Sequence, residues 1–127
     1  MAPRRKPVVL HIDDDVANRK LLERIVARRL PELRVVTAAT AGEGLELAFS
    51  ERPDLILLDR NLSWSSGDKV LQDLGVDPAT SMIPVVIVTG EDEGSAALVE
   101  RGAKEVLLKP YDVDSLVEII SRYVSSR

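Results

Sequence analysis

Five short runs of apolar residues, each nearly continuous rather than alternating, set the strongest constraint on how this chain can fold. They lie at residues 8–12, 33–37, 55–58, 85–88 and 106–108. A strand with one face in water alternates apolar and polar side chains. A strand apolar at successive positions is covered on both faces, the signature of a parallel sheet flanked by helices. The segments between the runs have helical spacing. Leu21, Leu22, Ile25, Val26 and Leu30 form one stripe, ended by Pro31. Leu45, Ala48 and Phe49 form a second ahead of Pro53, and Val70, Leu71 and Leu74 a short third, closed by Gly75 and Pro78. Ala97, Leu98 and Val99 suggest a short fourth helix stopped by Gly102, and Leu116 to Val124 carry a fifth. Strand then helix, five times over and with right-handed crossovers, predicts an α/β sandwich with a doubly wound five-stranded parallel sheet.

The chain has 127 residues, enough for one domain to bury a sizeable core without staples. The expected organisation is a flexible basic tail over residues 1–7 and a single domain over 8–127. There is no cysteine, which excludes disulfides and thiolate metal sites. No apolar run approaches the ~18 residues of a membrane-spanning helix, and no signal-peptide core follows the basic start. A cytoplasmic location is expected. The formal net charge of −4 argues against direct nucleic-acid or membrane binding. Arg4, Arg5 and Lys6 read as part of the tail, and Arg24, Arg28 and Arg29 as a solvated helix face.

In parallel sheets of this kind ligands bind beyond the carboxyl ends of the strands. The first strand ends in Asp13, Asp14 and Asp15, the third in Asp59, the fourth in Thr89 and Gly90, and the fifth in Lys109 and Pro110. The second, ending at Thr37 and Ala38, carries nothing distinctive. Clustered carboxylates repel one another and raise one another's pKa unless a cation sits among them. With oxygen ligands only, the expected cation is Mg²⁺. A carboxylate beside Mg²⁺ and a lysine can act as a nucleophile on a phosphoryl group, forming an aspartyl phosphate. Lys109 would neutralise the phosphoryl oxygens, Thr89 could donate a hydrogen bond to one, and Gly90 leaves room for the group.

The stretches VVLHIDDDVANRKLL, PDLILLDRNL, DPATSMIPVVIVTG and VLLKPYD resemble the receiver domain of two-component response regulators over about residues 8–125. The resemblance implies a flavodoxin-like (βα)5 sandwich of the chemotaxis-regulator type. It implies Asp13 and Asp14 as the acidic pair, Asp59 as phosphoacceptor, Thr89 as the switch hydroxyl and Lys109 as the conserved-type lysine. The backbone carbonyl of Asn61 would complete a Mg²⁺ site with Asp13, Asp14 and Asp59. The implied partners are a sensor histidine kinase or histidine phosphotransfer protein, and a downstream effector or a second copy in a homodimer. The implied activity is self-phosphorylation and self-dephosphorylation rather than conventional enzyme turnover. Because no effector domain follows Arg127, the expectation is a stand-alone regulator or a receiver cut from a longer chain.

The chain departs from the family pattern in three places. The loop after Asp59 reads Leu62, Ser63, Trp64, Ser65, Ser66, Gly67 where Pro and Gly are usual. Val106 stands where the family carries its aromatic switch residue, and the interval from Thr89 to Lys109 is short. These departures favour an alternative, a degenerate receiver acting as a phosphorylation-independent interaction module; the complete set of acids, Thr89 and Lys109 opposes it. A phosphatase of the haloacid-dehalogenase type would need a second Asp where Asn61 stands. Simpler roles also exist: Asp15 as a helix cap, Thr89 as a strand-end turn, Tyr111 and Tyr123 as packing, His11 as a hydrogen-bonded core histidine. Trp64 is an anchor for its loop or a partner contact. The Lys109–Pro110 bond is a candidate for cis.

Overall fold

The structure is a computed structural model of the whole chain, in which residues 6–62 and 66–124 are described. Trp64 and most of the basic tail fall outside the described residues. The elements run β1 (Val8–Ile12), α1 (Val16–Arg29), β2 (Arg34–Ala38), α2 (Ala41–Glu51), β3 (Leu55–Asp59), α3 (Gly67–Val76), β4 (Val85–Thr89), α4 (Ser95–Glu100), β5 (Glu105–Leu108) and α5 (Val113–Val124). All strand pairs are parallel, in the order β2-β1-β3-β4-β5.

The apolar runs are continuous because neighbouring residues face opposite layers. Leu10, Ile12, Ile56, Leu58 and Ile87 point to one side, where Ala48, Leu71, Leu74 and Leu98 from α2, α3 and α4 meet them. Val9, Leu55, Leu57 and Val86 point to the other, against Leu22, Ile25 and Val26 of α1 and Leu116, Ile119 and Ile120 of α5. The three inner strands β1, β3 and β4 are buried at every residue, whereas the edge strands β2 and β5 are mostly half-buried. Burying a Leu, Ile or Val side chain contributes about 1.5–3 kcal/mol, so the inner strands dominate the hydrophobic term.

Helix starts follow local chemistry. The side chain of Asp15 accepts the Ala17 N–H and caps α1. Thr40 caps α2 by accepting the Glu43 N–H at 3.1 Å, while the Glu43 carboxylate reaches back to the Ala39 N–H at 2.8 Å. Ser66 caps α3. Two apolar stripes need correction. Leu21 is 49% and Phe49 57% exposed, each on the solvent side of its helix. In α1 the buried side chains are Leu22, Ile25 and Val26, and Leu21 falls a residue's turn away from them. Gly75 does not close α3, which runs on to Val76; Asp77, ahead of Pro78, is extended and ends it.

From β1 the chain steps outward to β2, then returns to lay β3 on the other side of β1. This reversal opens a crevice beyond the carboxyl ends of β1 and β3, the place where such sheets bind ligands.

Candidate functional site

The crevice holds the acids singled out from the sequence. Carboxylate oxygens of Asp13, Asp14 and Asp59 all lie within 4.8 Å of one another. Asp13 and Asp59 are buried and Asp14 is half-buried. Asp59 is the last residue of β3, rather than the first beyond it, and pairs with Val88 of β4. Its Oδ1 accepts the Asn61 N–H at 3.1 Å and faces the Lys109 ammonium at 3.9 Å. Oδ2 has no hydrogen bond among the described residues. The Lys109–Pro110 peptide is cis, and the Lys109 N–H donates to the Thr89 carbonyl at 2.8 Å.

Burial pushes the Asp59 carboxyl above its ordinary pKa, and the charges of Asp13 and Asp14 push it the same way; the Asn61 N–H and Lys109 pull against them. Asp13 behaves differently. Burial works against its ionisation, yet the His11 imidazole, the Asp15 N–H and the Asn18 amide together hold it below the ordinary carboxylate value. The same site therefore contains one acid that is comfortable as an anion and one that is not. Three carboxylates with one nearby ammonium are short of positive charge, and their all-oxygen chemistry fits a small divalent cation.

Thr89 is fully buried at the end of β4, and its hydroxyl accepts the Glu91 N–H at 3.1 Å, the strand-end turn weighed as the simpler role. Asn61 forms an isolated antiparallel bridge with Ser66, which closes the loop after Asp59. Gly67 packs directly beneath: a Cβ there would lie 2.7 Å from the Arg60 Cα and the Asp59 carbonyl oxygen. Val106 is half-buried and packs on the layer of α2, α3 and α4.

Several neighbours of the site were not among the residues singled out. Asn18 and Arg19, in the first turns of α1, reach back to Asp13. Arg60, directly after Asp59, donates through Nε to Asp68 of α3 at 3.1 Å and through Nη1 to the Glu93 carbonyl at 3.2 Å. Arg101, which follows α4, approaches the same Asp68 carboxylate at 3.6 Å. His11 is a buried core residue, as expected, but is not hydrogen-bonded: Nε2 is 3.6 Å from Asp13 Oδ2 and Nδ1 has no partner among the described residues. The spacing of Asn18 five residues past Asp13 is a signal in principle, because the first turn of a helix folds back over the loop that precedes it.

Known proteins share both the sequence pattern and the fold. Residues 9–121 match the response regulator receiver domain family. PilH of Pseudomonas aeruginosa is 34% identical over 90 residues, which is 69% of this chain and 74% of PilH. The DNA-binding transcriptional regulator NtrC of Escherichia coli is 31% identical over 123 residues, 95% of this chain but 25% of NtrC. A response regulator receiver domain protein (CheY-like) from Methanospirillum hungatei superposes with a TM-score of 0.81 at 28% identity, covering 96% of each chain. With the family matched from β1 into α5, and the sheet order and acidic crevice in place, this chain belongs to the response regulator receiver domain family.

Proposed function

We propose that Asp59 is the phosphoacceptor of a two-component phosphorelay, taking a phosphoryl group from the phosphohistidine of a sensor histidine kinase or a histidine phosphotransfer protein in the cytoplasm. The observation that carries this reading is Asp59 itself: a buried carboxylate at the reversal point of the sheet, held above its ordinary pKa and facing Lys109. A carboxylate raised by burial and like charge is a better nucleophile than a solvated one. Asp59 Oδ2, free of hydrogen bonds among the described residues, is the oxygen suited to attack. It bonds to phosphorus as the phosphorus–nitrogen bond breaks, and the donor imidazole leaves with that electron pair.

The residues of this chain divide the remaining work. Asn61 N–H and Lys109 hold Oδ1 and orient the carboxylate. Lys109 then pairs with the anionic phosphoryl oxygens, and Thr89 turns its hydroxyl from the Glu91 N–H toward one of them. Asp13, Asp14, Asp59 and the Asn61 carbonyl would hold Mg²⁺, which when bound supplies positive charge against the phosphoryl oxygens. Changed contacts around Thr89 and the β4–α4 loop then alter binding of a downstream effector or a second copy. The complete set of acids with Lys109 favours this over a phosphorylation-independent module.

The test is intact-mass spectrometry after incubation with acetyl phosphate and Mg²⁺. One phosphoryl adduct is expected, absent in Asp59→Asn and absent in wild type with EDTA. No adduct on wild type, or an undiminished adduct on Asp59→Asn, would overturn the assignment.

A further inference from the structure

Asp13 is held at every polar atom. Its N–H donates to the Ala38 carbonyl at 3.0 Å, tying it to the end of β2. Its carbonyl accepts from Arg19 Nη1 at 2.7 Å. Its Oδ1 accepts the Asp15 N–H at 2.9 Å, and its Oδ2 accepts from Asn18 Nδ2 at 3.2 Å and lies 3.6 Å from His11 Nε2, too far for a hydrogen bond. Two of these contacts come from consecutive residues of α1, one to the backbone of Asp13 and one to its side chain.

The Asn18 amide makes this hydrogen bond and no other among the described residues. Capping of α1 is already done by Asp15. Asn18 belongs to neither buried apolar cluster. What its amide does is fix the plane of a carboxylate. The terminal torsion of Asp is broad, so an Asp13 held only through Oδ1 could swing Oδ2 away from the neighbouring charges of Asp14 and Asp59. With Oδ1 pinned by a backbone N–H and Oδ2 by the Asn18 amide, that rotation is blocked. The donor type matters too. A lysine or arginine at this place would neutralise Asp13, whereas a neutral amide orients it and leaves its charge for a cation.

We propose that Asn18 is a positioning residue for the acidic cluster: by locking the Asp13 carboxylate plane it sets the affinity for a small divalent cation and the preference for Mg²⁺ over Ca²⁺. This rests on the reading of the cluster as the Mg²⁺ site of a phosphoacceptor. Mg²⁺ demands a near-ideal octahedron and gains from preset oxygens, while Ca²⁺ tolerates a flexible set. Loosening Asp13 therefore penalises Mg²⁺ more. Residues that orient metal ligands typically change affinity by about 10- to 100-fold when removed.

The experiment measures Mg²⁺ and Ca²⁺ dissociation constants by calorimetry on the full chain, with urea unfolding in EDTA as a control for stability. The set is wild type, Asn18→Ala, Asp13→Ala and the double variant. Asn18→Ser, shorter by one bond, replaces Asn18→Ala if that variant does not fold. Asn18→Ala is expected to weaken Mg²⁺ by about tenfold or more, to weaken Ca²⁺ less, and to add nothing in the Asp13→Ala background. Mg²⁺ binding to Asn18→Ala at wild-type affinity overturns the proposal while leaving the phosphoacceptor reading standing. An equal loss in the Asp13→Ala background also overturns it, because the effect would not pass through Asp13. Wild type that binds no Mg²⁺ overturns both.

Discussion

Replacing Asp59 by Asn should make the protein more stable at neutral pH, although it removes the group on which the proposed chemistry depends. The magnitude follows from the crevice. Asp59 faces two carboxylates, Asp13 and Asp14, with oxygens within 4.8 Å. At an effective dielectric constant of about 20, each such pair is worth roughly 3 kcal/mol of repulsion. The Lys109 ammonium lies 3.9 Å away, and on the same scale it returns roughly 4 kcal/mol. Two repulsions against one attraction leave a net penalty on the Asp59 anion, and desolvation by burial adds to it. Water at the open edge of the sheet, where Lys109 is partly exposed, screens the total to about 1–2 kcal/mol. Asn keeps the shape and can still accept the Asn61 N–H through its amide oxygen. The sign with pH is fixed by the direction of the shift. Folding raises the Asp59 pKa, so the stability associated with its protonated form is present below the ordinary carboxyl range and lost as pH rises through the raised value. Above the raised value wild type has lost it, and the variant has nothing to lose. The assay is urea and thermal unfolding of both proteins in EDTA at a series of pH values. Asp59→Asn should exceed wild type by about 3–8 °C at neutral pH, and the gap should close as pH falls through the carboxyl range. Mg²⁺ should also narrow the gap, because it relieves repulsion that only wild type carries in full. A variant no more stable than wild type at neutral pH in EDTA would refute the account of Asp59 as a destabilised anion.

Other outcomes follow from separate contacts. Lys109→Ala should fold but be less stable than wild type at neutral pH in EDTA, because it removes the attraction that offsets the repulsion on Asp59, and it should show no change in fluorescence or chemical shifts with beryllofluoride and Mg²⁺; a wild-type response would remove Lys109 from phosphoryl recognition. Gly67→Ala places a Cβ 2.7 Å from the backbone of Asp59 and Arg60, neither of which can move aside cheaply. It should destabilise by about 1–3 kcal/mol in urea unfolding and slow phosphorylation by acetyl phosphate; unchanged stability would show that the loop yields. Tyr123 donates to Glu105 at 2.6 Å and, through partial burial and that carboxylate, is pushed up to about 12. Its share of stability is fully present below the ordinary tyrosine value and is lost as pH rises from there to about 12. Ultraviolet titration should show the phenolate forming earlier in Glu105→Gln; an unmoved transition would remove Glu105 as the cause.

The fold was readable because a parallel sheet imposes a simple rule. Runs apolar at successive residues must be covered twice, and the places where they stop lie on one edge. That rule located Asp13, Asp59, Thr89 and Lys109 together without any distance being known, and Asp59 proved to be part of its strand. Helix phase was less readable. Leu21 and Phe49 are apolar and sit beside buried neighbours, but a helix turns about 100° per residue, so the neighbour of a core residue commonly faces water. Gly75 looked like a terminator because glycine often ends helices, but the end was set by Pro78, which holds the residue before it extended.

Orientation within the site was the least readable part, for a physical reason. Which residue types gather at a sheet edge depends on topology, which the apolar pattern encodes. Which way a carboxylate plane faces depends on donors a few ångströms away, often polar residues with no distinctive pattern of their own. Asn18 is an ordinary helical polar residue until it is seen 3.2 Å from Asp13 Oδ2. Arg60 reads as a loop cation until it is seen joining Asp68 of α3 to the Glu93 carbonyl. Val106 removes the aromatic side chain expected to report on Thr89. The Arg60 contacts connect the residue after Asp59 to both α3 and the segment leading into α4 without one. In this chain, then, the acids at the strand ends set what chemistry is available, and the neutral and basic residues around them set the geometry in which those acids are held, as Asn18 does for Asp13 and Lys109 for Asp59.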